Sequence, residues 1–416
     1  MTNAGAMKLL KAARTVQEWA VAETFQKVVL KAANGRLEVA SLTRNGEYHA
    51  DALTRFLNAA AFLGLAAREA TGQYSVAVNA PKYRRDSADA LFWLLNSGLA
   101  NLLSTGSMHL KTISASSGFE PDMYSAAVGA ELLSEKGDHV SLSPDLIEVL
   151  SPESRTYMGL WVKNYERVMS KIFSPKGLSG AIRDGRTQWP AIFGAEVSNP
   201  FLLTKVYPGI FNDLMEGMHQ ANITDDEKLA AQVDKTGVWN VLDIGGASGA
   251  WATALADSSS QIEDIQIYDL RDGMPLYQAI YKRFAASKTR PIRWVDGNFF
   301  EGDRLDRLAG LPEDKTFDLV SLGWIIHDWT DEQAVQILKR AAGHLHKNGR
   351  LLLLESIMDD DRLGRVTLAD LTMLVQTGGR ERTIGDYSAL LSKAGLKLKK
   401  VINTPTRRQI IETVHG

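Results

Sequence analysis

At 416 residues the chain is too long for one ordinary compact core, so two or three domains are expected. Its 45% hydrophobic and 23% charged content is that of a soluble globular protein, and a formal charge of −2 gives no electrostatic reason to expect nucleic acid or an anionic membrane as partner. The absence of cysteine excludes disulfides, thiolate nucleophiles and Cys-ligated zinc, and fits a reducing cytoplasm, the expected location. Residues 1–14 carry lysines but no apolar core of a secretory signal. The apolar stretch over 90–103 is broken by Asn96, Ser97 and Asn101 and is too short to span a bilayer.

In chain order, Val16, Trp19, Ala20, Phe25, Val28 and Val29 have helical spacing, predicting a helix over about 15–33. A second helix is predicted over about 50–65, with Leu53, Phe56, Leu57, Ala60 and Leu63 on one face and Gly64 near its end. Residues 66–76 then read as strand, Thr71-Gly72 turn, strand. Helices followed by a small hairpin make a winged helix, which serves DNA binding or dimerisation. Lys82, Arg84 and Arg85 point to DNA, but no long basic stripe lies on the presumed recognition helix, so dimerisation is the expectation. Residues 86–150 are the hardest to read. Residues 130–144 resemble a second wing, and a duplicated wing or an insertion with its own hairpin are both open.

From about 152 to 235 the pattern is helical. Trp161, Tyr165, Val168 and Ile172 share a face, residues 178–182 lead to a turn at Asp184-Gly185, and residues 207–212 open a helix carrying Leu214, Met215 and Met218. Methionines at this spacing are more often plain core, and a flexible wall for a planar ligand is the alternative. From Val238 onward strands are predicted at 241–244, 265–269, 292–295, 317–322, 351–355 and 397–402, mostly separated by helices such as 275–285 and 332–345. That alternation predicts an open, mostly parallel α/β sheet with ligands bound outside the carboxyl ends of its strands.

The first of these strands ends in Asp243-Ile244-Gly245-Gly246-Ala247-Ser248-Gly249, an acid before a glycine-rich turn that lets a ligand approach the backbone. The spacing fails the dinucleotide fingerprint, because Ala247 and Ser248 interrupt it. The second strand ends in Asp269, suited to two vicinal ribose hydroxyls, or to capping a turn. After the third come Asn298, Phe299 and Phe300, a polar group for an adenine edge and rings for its face. The fourth leads to His327-Asp328-Trp329, just before a helix marked by a Thr330/Gln333 capping box. Position alone leaves His327 open as an inert turn residue; its near-neutral pKa at the ligand edge makes it a candidate general base, with Glu355 or Glu381 to orient the ring. His344 and His346 are read as structural at a helix C-terminus, where cations are favoured. Asp359-Asp360-Asp361 reads as a solvated loop, and no metal site is expected.

Together Phe211-Asn212 with Met215, Asp243-Ile244-Gly245-Gly246, Tyr268-Asp269-Leu270, Gly297 to Phe300, His327-Asp328-Trp329, Gly349 to Glu355, Asp370 to Leu374 and Gly378-Gly379-Arg380-Glu381-Arg382-Thr383 resemble the class I S-adenosylmethionine (SAM)-dependent small-molecule O-methyltransferases of the plant caffeate and bacterial polyketide or phenazine type. The resemblance implies a Rossmann-like SAM-binding domain over 236–416, preceded by a mainly α winged-helix dimerisation domain over 1–150 and a helical linker over 151–235 that contributes to the substrate pocket. It implies a homodimer, SAM as cofactor with S-adenosylhomocysteine as product, and an aromatic or heteroaromatic hydroxyl acceptor. His327 would be the base, with Glu355 and Glu381 beside it. Asp243, Gly245, Gly246, Gly249, Asp269, Leu270, Asn298, Phe299 and Trp329 would bind the cofactor, and Trp161, Met215, Met218, Asp328 and Met373 the acceptor.

The chain departs from the family at Asn298, where an Asp is usual, at Gly323, where a Lys is frequent, in the Ala247-Ser248 turn, and in the length of 86–150. These departures keep open a relative that binds SAM for other chemistry, as cyclase, hydroxylase or C- or N-methyltransferase. A SAM-sensing winged-helix regulator is the reading from another class.

Overall fold

The computed structural model describes residues 4–416 apart from 31–36, 45, 70, 117, 155, 198–199, 286–291, 360–363 and 365. The chain divides into two compact units, one of residues 1–221 with 374–376 and the other of residues 222–373 with 377–416. No described helix is long and apolar enough to cross a membrane.

The first unit is mainly helical. Its opening helix starts earlier than the spacing predicted, at Ala4–Thr24, and continues as a π-helical turn over Phe25–Val29; residues 31–33 of the predicted helix lie outside the described residues. The helix Ala50–Phe62 buries the predicted face, Leu53, Phe56, Leu57 and Ala60 all being fully enclosed. The hairpin follows as β1 (Ala66–Arg68) and β2 (Tyr74–Val76), antiparallel, and Leu37 bridges to Tyr74 from the other side. Residues 86–150 then repeat this order of elements. A helix Asp86–Asn96 is followed by the two-residue strand β3 (Met108–His109), a five-residue helix Leu110–Ser114, a longer helix Pro121–Gly129, and the hairpin of β4 (Leu133–Lys136) and β5 (His139–Leu142). As in the first copy, the leading strand pairs antiparallel with the last, Met108 opposite Val140. Leu9, Leu91, Leu95, Leu103, Val140 and Leu150 belong to one buried cluster of this unit. Enclosing that much apolar area, at about 25 cal/mol per Å², makes the segment a packed part of the unit.

Further along, helices Gly159–Asn164 and Pro175–Asp184 follow, the second ending at Gly185 with φ +65°, the turn expected there. The predicted face is buried at Tyr165, Val168 and Ile172 and half-buried at Trp161.

The second unit is the α/β part. Its strands are β6 (Asn240–Ile244), β7 (Asp264–Asp269), β8 (Ile292–Asp296), β9 (Phe317–Gly323), β10 (Leu345–Glu355), β11 (Leu396–Ile402) and β12 (Gln409–His415), ordered β11-β12-β10-β9-β6-β7-β8. β8, β7, β6, β9 and β10 run parallel, and β12 lies antiparallel between β10 and β11. Val241, Leu242, Ile244, Leu319, Val320, Leu322 and Leu351–Leu354 are fully buried, as strands covered on both faces must be.

Two features differ from the expected pattern. β12 was not foreseen, because Glu412 and Thr413 interrupt its apolar run; both are buried, and Glu412 is surrounded by Arg350, Lys399 and Lys400. His344 is structural, but not as a cation at a helix end. Burial pushes its imidazole down, Nδ1 lies 2.8 Å from the Lys315 carbonyl, and Nε2 accepts from the Leu308 N–H at 3.0 Å.

The chain order reverses about β6, whose neighbours are β7 and β9. The turn after β6 and the loop after β9 therefore leave adjacent strands at the switch point, where open α/β sheets bind ligands.

Candidate active site

The turn after β6 is built from backbone constraints. Gly245 has φ +71°, donates its N–H to Tyr268 O at 2.7 Å, and a Cβ there would fall 2.3 Å from Ile325 Cδ1. A Cβ on Gly246 would fall 2.2 Å from Asp243 Oδ2. Ala247 takes φ +44°, a conformation costing an alanine about 1 kcal/mol. It is held there by its N–H donating to Asp269 Oδ2 at 2.9 Å, and by its carbonyl accepting from Trp294 Nε1 at 3.0 Å.

Asp243 is buried beneath the turn. Its Oδ1 accepts from Ser321 Oγ at 2.8 Å, Ser321 in turn accepts from Trp251 Nε1 at 3.0 Å, and Oδ2 has no partner. Burial pushes its carboxyl up to about 7. Asp269 also accepts from the Leu270 N–H at 2.7 Å, and burial raises it to about 6. The structure thus joins Asp243, Gly245, Gly246, Gly249, Asp269 and Leu270 in one turn region. Asn298 instead closes its own loop, accepting from the Phe300 N–H at 3.0 Å and donating to Glu301 Oε1 at 3.1 Å. Phe299, Phe300 and Trp329, all three expected at the ligand edge, form an edge-to-face aromatic cluster with centroids 4.6 to 5.6 Å apart.

The loop after β9 carries His327, 8% exposed, on a single 3-10 turn, Ile326–Asp328. Its Nδ1 lies 3.0 Å from Glu381 Oε1 and 3.8 Å from Glu355 Oε2. A carboxylate only accepts, so Nδ1 carries the proton and Nε2 is the atom left to take another. Asp328 Oδ1 is 3.8 Å from Nε2. Burial alone would push the imidazole down; Glu381, Glu355 and Asp328 outweigh it and lift it to about 10. Burial raises Glu355 to about 7 and Asp328 to about 6, against the pull of the imidazolium.

Glu355 does more than face the ring: its Oε1 accepts from the Ile325 and Ile326 N–H groups at 3.2 and 2.9 Å and so holds the loop. The helix after the loop begins with the expected capping box, Thr330 with Gln333. The Gly378–Thr383 stretch packs on the same loop. Arg380 N–H donates to His327 O at 2.8 Å, Asp370 Oδ1 accepts from Glu381 N–H at 3.0 Å, and fully buried Arg382 donates to Ile326 O at 2.8 Å and Trp329 O at 2.7 Å while pairing with Asp331 at 2.9 Å. No role was assigned to Arg382 from sequence; an arginine inside a Gly-Gly-Arg-Glu-Arg run carries no sign of burial by itself.

Among the acceptor candidates, Met215 and Met218 are half-buried on the helix Pro208–Gln232. Between them Gly217 approaches Trp161 so closely that a Cβ would fall 2.6 Å from Trp161 N. Those three belong to the first unit, while Asp328 and half-buried Met373, on the helix Thr367–Gln376, belong to the second. Ligand atoms of His327, Glu355 and Glu381 all lie within 4.8 Å of one another, so this cluster is also the described group whose donors could hold a metal ion. Asp359 is exposed, and Asp360 and Asp361 lie outside the described residues.

A family model described as an O-methyltransferase domain matches residues 176–397. Acetylserotonin O-methyltransferase of Bos taurus is 32% identical over 224 residues, 53% of this chain and 60% of that protein. The chain spans 54 to 60% of the length of the first curated relatives it matches. Human N-acetylserotonin methyltransferase, solved in complex with SAM, superposes with a TM-score of 0.68 at 24% identity, covering 79% of this chain and 94% of that one. An O-methyltransferase from neocarzinostatin biosynthesis, solved with SAM and 2-hydroxy-5-methyl naphthoic acid, gives 0.62 at 21% identity, covering 80% and 96%. At these identities the two solved structures speak for the fold.

Proposed function

The chain belongs to the O-methyltransferase domain family, and from that premise we propose that it is a SAM-dependent O-methyltransferase acting on the hydroxyl of a planar aromatic acceptor in secondary metabolism. The observation that carries this reading is the buried His327, its Nδ1 on Glu381 and its Nε2 without a hydrogen bond among the described residues, on the loop beside the glycine turn.

The residues around that turn suit SAM: a backbone stripped of Cβ atoms, Asp269 for the ribose, a buried Asp243 oxygen without a partner, and the Phe299–Trp329 rings for the adenine. Bound SAM supplies an electrophilic methyl on a sulfonium, leaving neutral S-adenosylhomocysteine. The protein's part is to align the acceptor oxygen and manage its proton. His327 Nε2 takes that proton as the oxygen gains the methyl, and Glu381 and Glu355 stabilise the imidazolium. An imidazole lifted to about 10 matches the pKa of a phenol, so the transfer is near balance. A phenolate meeting the imidazolium and a phenol meeting the imidazole are the same reacting arrangement.

The two repeats of the first unit read as winged-helix modules in tandem, which favours duplication over a plain insertion for 86–150. The helix just before the hairpin of each copy supports no DNA-binding role. Arg55 of Ala50–Phe62 is buried, and Pro121–Gly129 carries Asp122 and no basic residue. Dimerisation through this unit is the role proposed for it.

Incubation of the protein with SAM and hydroxyarenes, followed by mass spectrometry, tests the reaction. One added methylene unit per acceptor with stoichiometric S-adenosylhomocysteine supports it; an isomerised or hydroxylated product without methyl gain replaces it with other SAM-binding chemistry.

A further inference from the structure

Three side chains that the mechanism leaves unused form a cluster, one beside the base and two packed on that one. Trp324 follows β9 with φ +52°, a left-handed conformation rare for a bulky residue and costly to hold, of the kind that collects at functional sites. Its N–H is fixed on Leu354 O at 3.1 Å, and its indole lies parallel to the His327 ring, centroids 6.4 Å and planes 7° apart. Two neighbouring guanidiniums pack on that indole, Arg408 Cζ at 4.7 Å and Arg407 Cζ at 5.0 Å from its centroid.

The two arginines differ in how their charge is answered. Arg408 is buried and paired with buried Asp226 at 2.6 Å. Arg407 keeps part of its side chain exposed, although burial of the guanidinium lowers its pKa. One Nη2 hydrogen bond of 3.0 Å goes to the neutral amide oxygen of Asn222, and the nearby Asp225 attracts it without forming an ion pair, being itself 3.8 Å from Lys228. A guanidinium has five N–H donors in a planar fork that fits a carboxylate. Stacking on the indole and the Asn222 bond fix this fork in place without neutralising it. The pair therefore leaves one preorganised guanidinium without a direct ion pair, packed on the indole whose other neighbour is the His327 ring. Asn222 and Asp226 lie one helical turn apart on the same helix, so one face of it sets both guanidiniums.

We propose that Arg407 binds a carboxylate on the acceptor, so that the preferred substrate is a planar hydroxyarene acid with the acid group at the end remote from the methylated hydroxyl. Trp324 is then an aromatic surface shared by the anion site and the base. This rests on the reading of His327 as the base for the acceptor hydroxyl.

The test compares 6-hydroxy-2-naphthoate, whose hydroxyl and carboxylate sit at opposite ends of a rigid bicycle, with its methyl ester, in the wild type, Arg407→Gln and Arg407→Lys. The expected wild-type kcat/KM is at least about tenfold higher for the acid, the scale of a charge-assisted hydrogen bond. Arg407→Gln collapses that ratio towards one, through KM, and Arg407→Lys keeps part of it. A wild-type ratio near one, or a ratio unchanged in a folded Arg407→Gln protein, overturns the proposal. Titrating the naphthoate's own fluorescence without SAM separates this site from the transferase reading. Acid binding that weakens in Arg407→Gln while no variant methylates either compound keeps the anion site and removes the reaction. Methyl transfer without any acid preference does the opposite.

Discussion

Glu381→Gln removes the charge 3.0 Å from His327 Nδ1 while keeping a side chain able to accept the same hydrogen bond. At an effective dielectric of about 20, opposite unit charges at that separation attract by about 5 kcal/mol, or about four pKa units. The amide retains a neutral hydrogen bond, and Glu355 remains 3.8 Å away, so roughly half of that lift is expected to go. The His327 midpoint should then move from about 10 in the wild type to about 8. The assay is proton–carbon NMR of the imidazole Cε1–H in protein labelled at histidine, with His327→Gln to assign the signal. The wild-type signal should stay that of an imidazolium up to pH 9, whereas the variant should titrate between pH 7 and 9. Methyl transfer should fall about ten- to a hundredfold, because an imidazole with a lower pKa is a weaker base for the acceptor's proton and its imidazolium a less stable product. A wild-type midpoint near 6.5, or a variant midpoint unmoved from the wild type's, would refute the electrostatic account of this cluster.

The folded His327 pKa of about 10 exceeds the free value of 6.5, so its protonation stabilises the fold fully below about pH 6.5, and that contribution is lost as pH rises through about 10. The melting difference between wild type and His327→Gln should therefore shrink on raising the pH from 6 to 10; a constant difference contradicts it. Arg382→Met leaves the Ile326 and Trp329 carbonyls without their buried donor. It should cost about 3 to 5 kcal/mol of stability in denaturant unfolding, with Arg382→Lys recovering only part because one ammonium cannot span the same acceptors; an unchanged unfolding midpoint in Arg382→Met would remove the loop-holding role.

The α/β half of the fold was legible because its strands are short apolar runs, and the strand-end rule singled out Asp243 and Asp269 while leaving His327 open until its neighbours were seen. β12 escaped it because a buried Glu412 looks like a surface residue until its three cations are seen. The cluster around the base was readable only in part. His327 and Glu381 were candidates from type and position, but the lift to about 10 comes from Glu381 and Glu355, distant in the chain, converging with the adjacent Asp328 on one buried ring. Trp324, Arg407 and Arg408 gave no signal, since a positive φ at a tryptophan and an ion pair across 182 residues are tertiary facts. In the first unit the second hairpin was visible, but the repeat was hidden by strands as short as β3 and the single bridging residue Leu37.

The central claim is that His327 accepts the acceptor's proton and does not hold the cofactor. Single-turnover methyl transfer by His327→Ala, measured beside its SAM affinity by calorimetry, tests this most directly. The account predicts a rate lower by about 10² to 10⁴ with SAM affinity within about threefold of the wild type, well under the 1.4 kcal/mol that a tenfold change represents. An unchanged rate, or a loss explained wholly by weaker SAM binding, would contradict it.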